Sequence, residues 1–205
     1  LLLSIVNEIL DLSKIESGKM EIVETEYDLN KLVEDLTAMI SLKAQSKDLM
    51  FILDVDKKLP VHLYGDDVRI RQILTNLLTN AIKYTNSGNI RLDIYGKVQD
   101  DTVTLSCTVS DTGIGIKEEH LASLFDEYKR IEDDSNHYVE GTGLGLNITM
   151  RLLDLMGSRL QVQSEYGKGS KFFFELKQKV RDSVTIADCL EKKKYSQTKQ
   201  QWNGS

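Results

Sequence analysis

The stretch Thr102 to Ile116 reads TVTLSCTVSDTGIGI and decides the fold. Val103, Leu105, Cys107 and Val109 alternate with Thr102, Thr104, Ser106, Thr108 and Ser110. A period of two over this length is a strand with one side on a core and the other in water. The strand ends at Asp111, and Gly113 and Gly115 follow, where the missing Cβ permits unusual backbone angles and close approach of a ligand. From this hexapeptide alone, an Asp-capped turn and a binding site both stay open.

Working outward, Ile90, Leu92 and Ile94 alternate with Arg91, Asp93 and Tyr95, which predicts a hairpin partner joined across Asp100-Asp101. Phe51, Leu53 and Val55 predict another strand. A further pair is expected where Leu160 and Val162 alternate with glutamines and where Phe172, Phe174 and Leu176 share a face. All of these read one-sided, which excludes a parallel sheet sandwiched between helices. The expected fold is α+β: a two-layer sandwich with a mixed, mostly antiparallel sheet of about five strands and three main helices on one face.

The helices are legible from caps and stripes. Asp28 precedes Leu29, Leu32, Val33, Leu36 and Ile40 and reads as the N-cap of a helix to about Gln45. Pro60 breaks the chain, and a short extended piece leads to Gly65 and to Asp66 or Asp67 as the next cap. In the helix that follows, Ile70, Ile73, Leu74, Leu77, Leu78 and Ala81 form the core stripe. Its other side carries Arg69, Gln72, Asn76, Asn80 and Lys83 in steps of three and four, a ridge of amides ending in a cation. Glu118 to Phe125 reads helical, and 126–141 has no periodicity, as in a lid or a disordered segment. Gly141-Thr142-Gly143-Leu144-Gly145-Leu146 opens a third main helix that ends at Gly157, and glycines at a helix start suit an anion.

At the N-terminal end, Leu2, Ile5, Ile9 and Leu12 recur at helical spacing up to Ser17-Gly18, and 1–21 reads either as part of an interaction helix or as a plain core helix. Residues 22–180 form the expected globular domain. The charged, Gln-rich 181–205 reads as linker or tail, with a short helix around Val184 to Leu190. At 205 residues, 40% hydrophobic and 28% charged, the chain suits one soluble domain with appended segments. No apolar run approaches the roughly 18 residues of a membrane span, and LLLSIVNEIL, broken by Asn7 and Glu8, does not read as a signal peptide. A net charge of -6 disfavours nucleic acid, and Cys107 and Cys189 give neither a disulfide framework nor metal-ligand spacing. P-loop, dinucleotide and protein-kinase fingerprints are all missing.

Five features occur in a fixed order: Asn76-x-x-x-Asn80 with Lys83 and Tyr84; Asp111-Thr-Gly-Ile-Gly; Phe125-x-x-Tyr128-x-Arg130; Gly141-Thr-Gly-Leu-Gly-Leu; and Tyr166-Gly-Lys-Gly-Ser170. Together they resemble the N, G1, F, G2 and G3 boxes of the sensor histidine kinases. The Bergerat-type ATP-binding domain of those kinases is shared in outline with gyrase, the ninety-kilodalton heat-shock chaperone and the mismatch-repair ATPases. LDLSKIESGKMEI likewise resembles the second helix of the dimerisation and phosphotransfer domain of those kinases.

The resemblance implies that Asp111 accepts a hydrogen bond from the adenine amino group, with Gly113 and Gly115 beside the base, Tyr84 flanking it and Ser170 adding a hydroxyl. It implies that Asn76 and Asn80 hold Mg²⁺, and that Lys83 and Arg130 meet phosphate. Gly141, Gly143 and Gly145, with Thr142, Leu144 and Leu146 between and after them, would present backbone donors to the phosphate chain. Asn76, Lys83 and Arg130 are the implied catalytic residues. The implied activity is transfer of the γ-phosphate of Mg·ATP to a histidine on the parent protein's own upstream helix. A response-regulator receiver domain is the implied downstream partner, and the implied setting is the cytoplasmic part of a homodimeric, membrane-anchored bacterial sensor, of the hybrid kind given the tail.

There are departures. The family's phosphoacceptor histidine is followed by Glu or Asp, whereas His62 and His120 precede Leu and His137 precedes Tyr. Glu127 stands where a proline is common. Asn76 replaces the general-base glutamate of the related ATPases, which disfavours hydrolysis. An ATP-dependent regulatory module with conformational output and an anti-sigma-type serine kinase are the alternatives.

Overall fold

The alternation over 102–111 is realised as a strand whose Val103, Leu105, Cys107 and Val109 are each at most 3% exposed. The structure, a computed structural model, describes residues 2–121, 124 and 144–192. In chain order the elements are α1 (Leu2–Glu16), β1 (Thr25–Asp28), α2 (Leu29–Gln45), β2 (Met50–Val55), β3 (His62–Gly65) and α3 (Asp67–Tyr84). Then follow β4 (Asn89–Gln99), β5 (Thr102–Asp111), α4 (Glu118–Leu121), α5 (Leu144–Leu155), β6 (Gln161–Glu165) and β7 (Gly169–Val180).

One sheet takes the order β1-β3-β7-β5-β4-β2, with β6 pairing the start of β7. β2 and β4 run parallel and the other pairs antiparallel. The sheet has seven strands, not about five. The difference is β1 and β3, four residues each and too short for a periodic signal, with Tyr27 the one buried side chain of β1. β4 and β5 pair from Gln99↔Thr102 to Ile90↔Asp111, and Asp100 accommodates the hairpin turn with a φ of 54°.

The two-layer arrangement follows from the one-sided strands. Helices α2, α3 and α5 bury Leu32, Leu36, Ile40, Ile73, Leu77, Ile148 and Leu152 in one continuous core against Ile90, Leu92, Val109, Phe174 and Leu176 of the sheet. The opposite face is polar: Arg91 bonds Asp54 and Asp93, and the Tyr95 hydroxyl donates to Asp54 at 2.7 Å. Burial pushes the Cys107 thiol up to about 12, and both cysteines are free.

Two aspartates start the helices as expected. Asp28 accepts the Lys31 N–H at 2.8 Å and Asp66 that of Arg69 at 3.0 Å, while the second Asp66 oxygen accepts the Val23 N–H at 2.9 Å. Asp11 of α1 accepts from Arg69 Nη1 at 3.3 Å and Gln72 Nε2 at 2.8 Å, which docks α1 on the first turns of α3. Ile15 packs on the core, and Val6, Ile9 and Leu10 are exposed.

The segment after Val180, expected as linker or tail, is tied to the domain as far as residue 192. The Val61 N–H donates to Val184 O, Ile186 N–H to Leu59 O and Ala187 N–H to Lys57 O, and Ile186 is 5% exposed. Thr185 and Asp188 bond reciprocally at the start of a short helix over 186–192. Its anchors are the buried Ile186, the partly buried Cys189 and Leu190, the Asp182–His62 pair and backbone groups, too scattered among polar residues for composition alone to read as docked. Ile186→Ala is expected to lower stability by about 2–4 kcal/mol in urea denaturation. A loss under roughly 0.5 kcal/mol, the range of an exposed position, would show the segment undocked.

Candidate functional site

The last residue of β5 is where the sheet, α3 and the glycine loop converge. Register sets Asp111 opposite Ile90 of β4 and Ser170 of β7. Its Oδ1 accepts the Gly113 N–H at 2.8 Å, and the Ser170 N–H also reaches the carboxylate. Partial burial pushes the Asp111 carboxyl above the usual carboxylate range, and the two backbone donors only partly pull it back. The result is an acceptor-rich group held in place at a strand end.

The loop after Asp111 is pinned on both sides. The Ile114 N–H donates to Tyr84 O at 3.1 Å, the Gly167 N–H to Ile114 O at 2.8 Å and the Ile116 N–H to Ser164 Oγ at 2.8 Å. Both glycines are required by this packing. A Cβ on Gly113 would lie 2.4 Å from Tyr84 O, and one on Gly115, at φ +66°, would lie 2.1 Å from Glu165 O.

Helix α3 ends beside this loop, at Tyr84, and carries the amide ridge along its length towards α5. Asn76 Nδ2 donates to Gly145 O at 3.3 Å and Thr149 Oγ1 at 3.4 Å, which joins α3 to the first turn of α5, and among the described residues Asn76 Oδ1 has no partner. Among the described residues the Asn80 amide has no partner. At the end of α3 the Lys83 ammonium lies 5.0 Å from the centroid of the Tyr84 ring, and Tyr84 is 42% exposed. Lys47 caps this end, its ammonium donating to Ile82 O at 2.9 Å and Lys83 O at 3.2 Å.

Two free amide oxygens one helical turn apart suit a hard divalent cation that draws its other ligands from phosphate and water. Among the described residues no group of three or more His, Cys, Asp or Glu could hold a metal.

Leu144 and Leu146 pack against the core and fix the start of α5, where Gly145 sits in the first turn. Arg130, Gly141, Thr142 and Gly143 lie outside the described residues, as do Phe125, Tyr128 and His137. The structure sets Gly113, Ser170 and the Tyr84 carbonyl around the Asp111 loop, packs Gly115 on Glu165, and joins Asn76 to Gly145, with Asn80 and Lys83 between Asn76 and Tyr84 along α3. His62 Nδ1 bonds Asp182 at 2.8 Å and His120 lies 3.8 Å from Glu119, both as surface pairings. Three site neighbours had no sequence signal: Lys47, the buried Thr85 hydroxyl beside Gly113, and Ser164. Each acts across the fold, not along the chain.

The profile of the histidine kinase-, DNA gyrase B-, and HSP90-like ATPases matches residues 65–180, from the end of β3 to the end of β7. The chain belongs to that family. Among its relatives, hybrid signal transduction histidine kinase B of Dictyostelium discoideum is 42% identical over 176 residues, which are 85% of this chain and 9% of that protein. Sensor histidine kinase GacS of Pseudomonas protegens is 38% identical over 185 residues, 89% of this chain and 20% of the relative. The chain therefore spans a fifth or less of the length of these two histidine kinases. The crystal structure of full-length ShkA in complex with AMPPNP superposes with a TM-score of 0.72 at 30% identity, covering 89% of this chain and 37% of that one. No helix among the described residues of this ATPase-family chain is long and apolar enough to cross a membrane.

Because the Asp111 carboxyl has a raised pKa, its contribution to folding is full below the ordinary carboxylate pKa and is lost as pH rises through the folded value. Asp111→Asn is therefore expected to stabilise the fold at neutral pH, with the gain shrinking towards about pH 4. Urea denaturation across that range checks it, and a less stable variant at neutral pH would show that the ionised carboxylate is net favoured.

Proposed function

We propose that this chain is the ATP-binding catalytic domain of a two-component sensor histidine kinase. It binds Mg·ATP and transfers the γ-phosphate to a histidine on a dimerisation domain, supplied by neither His62, His120 nor His137. The observation that carries this reading is an anchored acceptor, Asp111, in a loop held against the end of α3, the helix whose Asn76 and Asn80 amide oxygens have no partner among the described residues.

In this reading the Asp111 carboxylate takes the adenine amino group, Tyr84 flanks the ring, and Lys83 meets phosphate as a point charge. Arg130 forks onto the terminal phosphate, and the N–H groups between Gly141 and Leu146 receive the phosphate chain at the positive end of α5. Asn76 and Asn80 would hold Mg²⁺ through their amide oxygens, and the ion would neutralise phosphate charge when bound. Asn76 cannot take a proton from water, so the site favours delivery to an imidazole over hydrolysis. Positioning and charge neutralisation supply most of the rate.

Residues 1–21, with α1 over Leu2–Glu16, then form the C-terminal part of the dimerisation domain, with the catalytic domain over 22–180 and the docked 181–192 after it. The partners are the upstream phosphoacceptor helix and a receiver domain, within a homodimeric, membrane-anchored parent whose catalytic part is cytoplasmic.

Asp111→Ala is expected to weaken ATP binding by roughly ten- to a hundredfold or more in calorimetry, the cost of losing a charged hydrogen bond. Unaltered affinity refutes the adenine assignment. Asn80→Ala is expected to remove the Mg²⁺ dependence of ATP affinity, which titration with and without EDTA measures. Mixing the chain with its acceptor helix and labelled ATP should give an acid-labile phosphoprotein. An acid-stable product would point to serine transfer, and none at all to a conformational output.

A further inference from the structure

Three polar side chains stand in one row across three strands. Asp111 of β5 is directly opposite Ser170 of β7, and Ser170 is directly opposite Ser164 of β6. Directly opposed residues share a face of the sheet, here the face of Val109 and the helices. Ser164 Oγ has three neighbours: the Ile116 N–H at 2.8 Å, Gly169 O at 2.9 Å and Ser170 Oγ at 2.9 Å.

A hydroxyl has one proton to give and two lone pairs. The Ile116 N–H can only donate and the Gly169 carbonyl can only accept, so the Ser164 proton goes to Gly169. Ser170 must then be the donor between the two serines. With its proton committed, Ser170 Oγ has only lone pairs left to offer, beside a carboxylate that also only accepts.

We propose that Ser164 sets the base selectivity of the site, as a positioning residue acting through Ser170. This deepens the nucleotide reading above and rests on it. A row of acceptors suits the 6-amino group of adenine, which has two protons to donate. Guanine presents O6 at that position, an acceptor against acceptors, left without a partner. Remove the Ser164 hydroxyl and Ser170 is free to turn its proton towards O6, so the bar to guanine falls.

The test is calorimetry of Mg·ATP and Mg·GTP on the whole chain, with wild type, Ser164→Ala and Ser164→Thr. Ser164→Ala should cut the ratio of ATP to GTP affinity roughly tenfold, about the worth of one hydrogen bond, chiefly by strengthening GTP. Ser164→Thr, which keeps the hydroxyl, should retain the wild-type ratio. In a Ser170→Ala background the Ser164→Ala change should leave the ratio unmoved. Ser164→Cys, near in size with a weak donor, gives the same reading if the Ala variant does not fold. Equal weakening of both nucleotides would show a merely structural role through Ile116, and that result or an unchanged ratio overturns the proposal. Wild type that binds ATP with no such change in the variants sinks this inference alone. Wild type that binds neither nucleotide sinks the nucleotide reading with it.

Discussion

The structure depends on one strand being paired along its whole length on both sides. β5 is hydrogen-bonded to β4 from Thr102 to Asp111 and to β7 over the same ten residues. A slip of one residue would turn Val103, Leu105, Cys107 and Val109 to solvent and bring the threonines and serines inward. The burial of those four apolar side chains therefore fixes where Asp111 emerges. A strand buried on one face and paired on both edges is a stiff support, and the Asp111 carboxylate stands at its tip.

Helix α3 supplies the second wall by the same logic in a different period. Its apolar stripe of Ile70, Ile73, Leu74, Leu77, Leu78 and Ala81 is committed to the core, which leaves the ridge of Asn76, Asn80 and Lys83 no choice of direction. The helix is held at both ends, by Asp66 at its start and by the Lys47 ammonium on its last carbonyls. Asn76 uses its nitrogen to tie α5, while its oxygen has no partner among the described residues.

How much of this was written in the sequence follows from the range of each interaction. Helix starts at Asp28 and Asp66, the β4–β5 hairpin and the inward face of β5 depend on near neighbours and were legible. The resemblance singled out Asp111, Asn76 and Asn80 because their boxes occur in order along the chain. β1 and β3 were not legible as strands, since four residues carry too little alternation. Nor was the docking of 181–192, which hangs on Ile186 and on backbone groups of 57–62. Ser164 escaped for a related reason. Its significance lies in being two strands away from Asp111, a distance visible only once β6 and β7 are laid side by side.

Asp66 has a consequence of another sort. One oxygen starts α3, and the other grips the N–H of Val23 in the connector between α1 and β1. Slack chain would absorb a rotation of α1. Here the connector is tied by Asp66 to the start of α3, and Asp11 holds the same helix further on through Arg69 and Gln72. A rotation of α1 would therefore act on the first turns of α3 directly, with no slack chain between them.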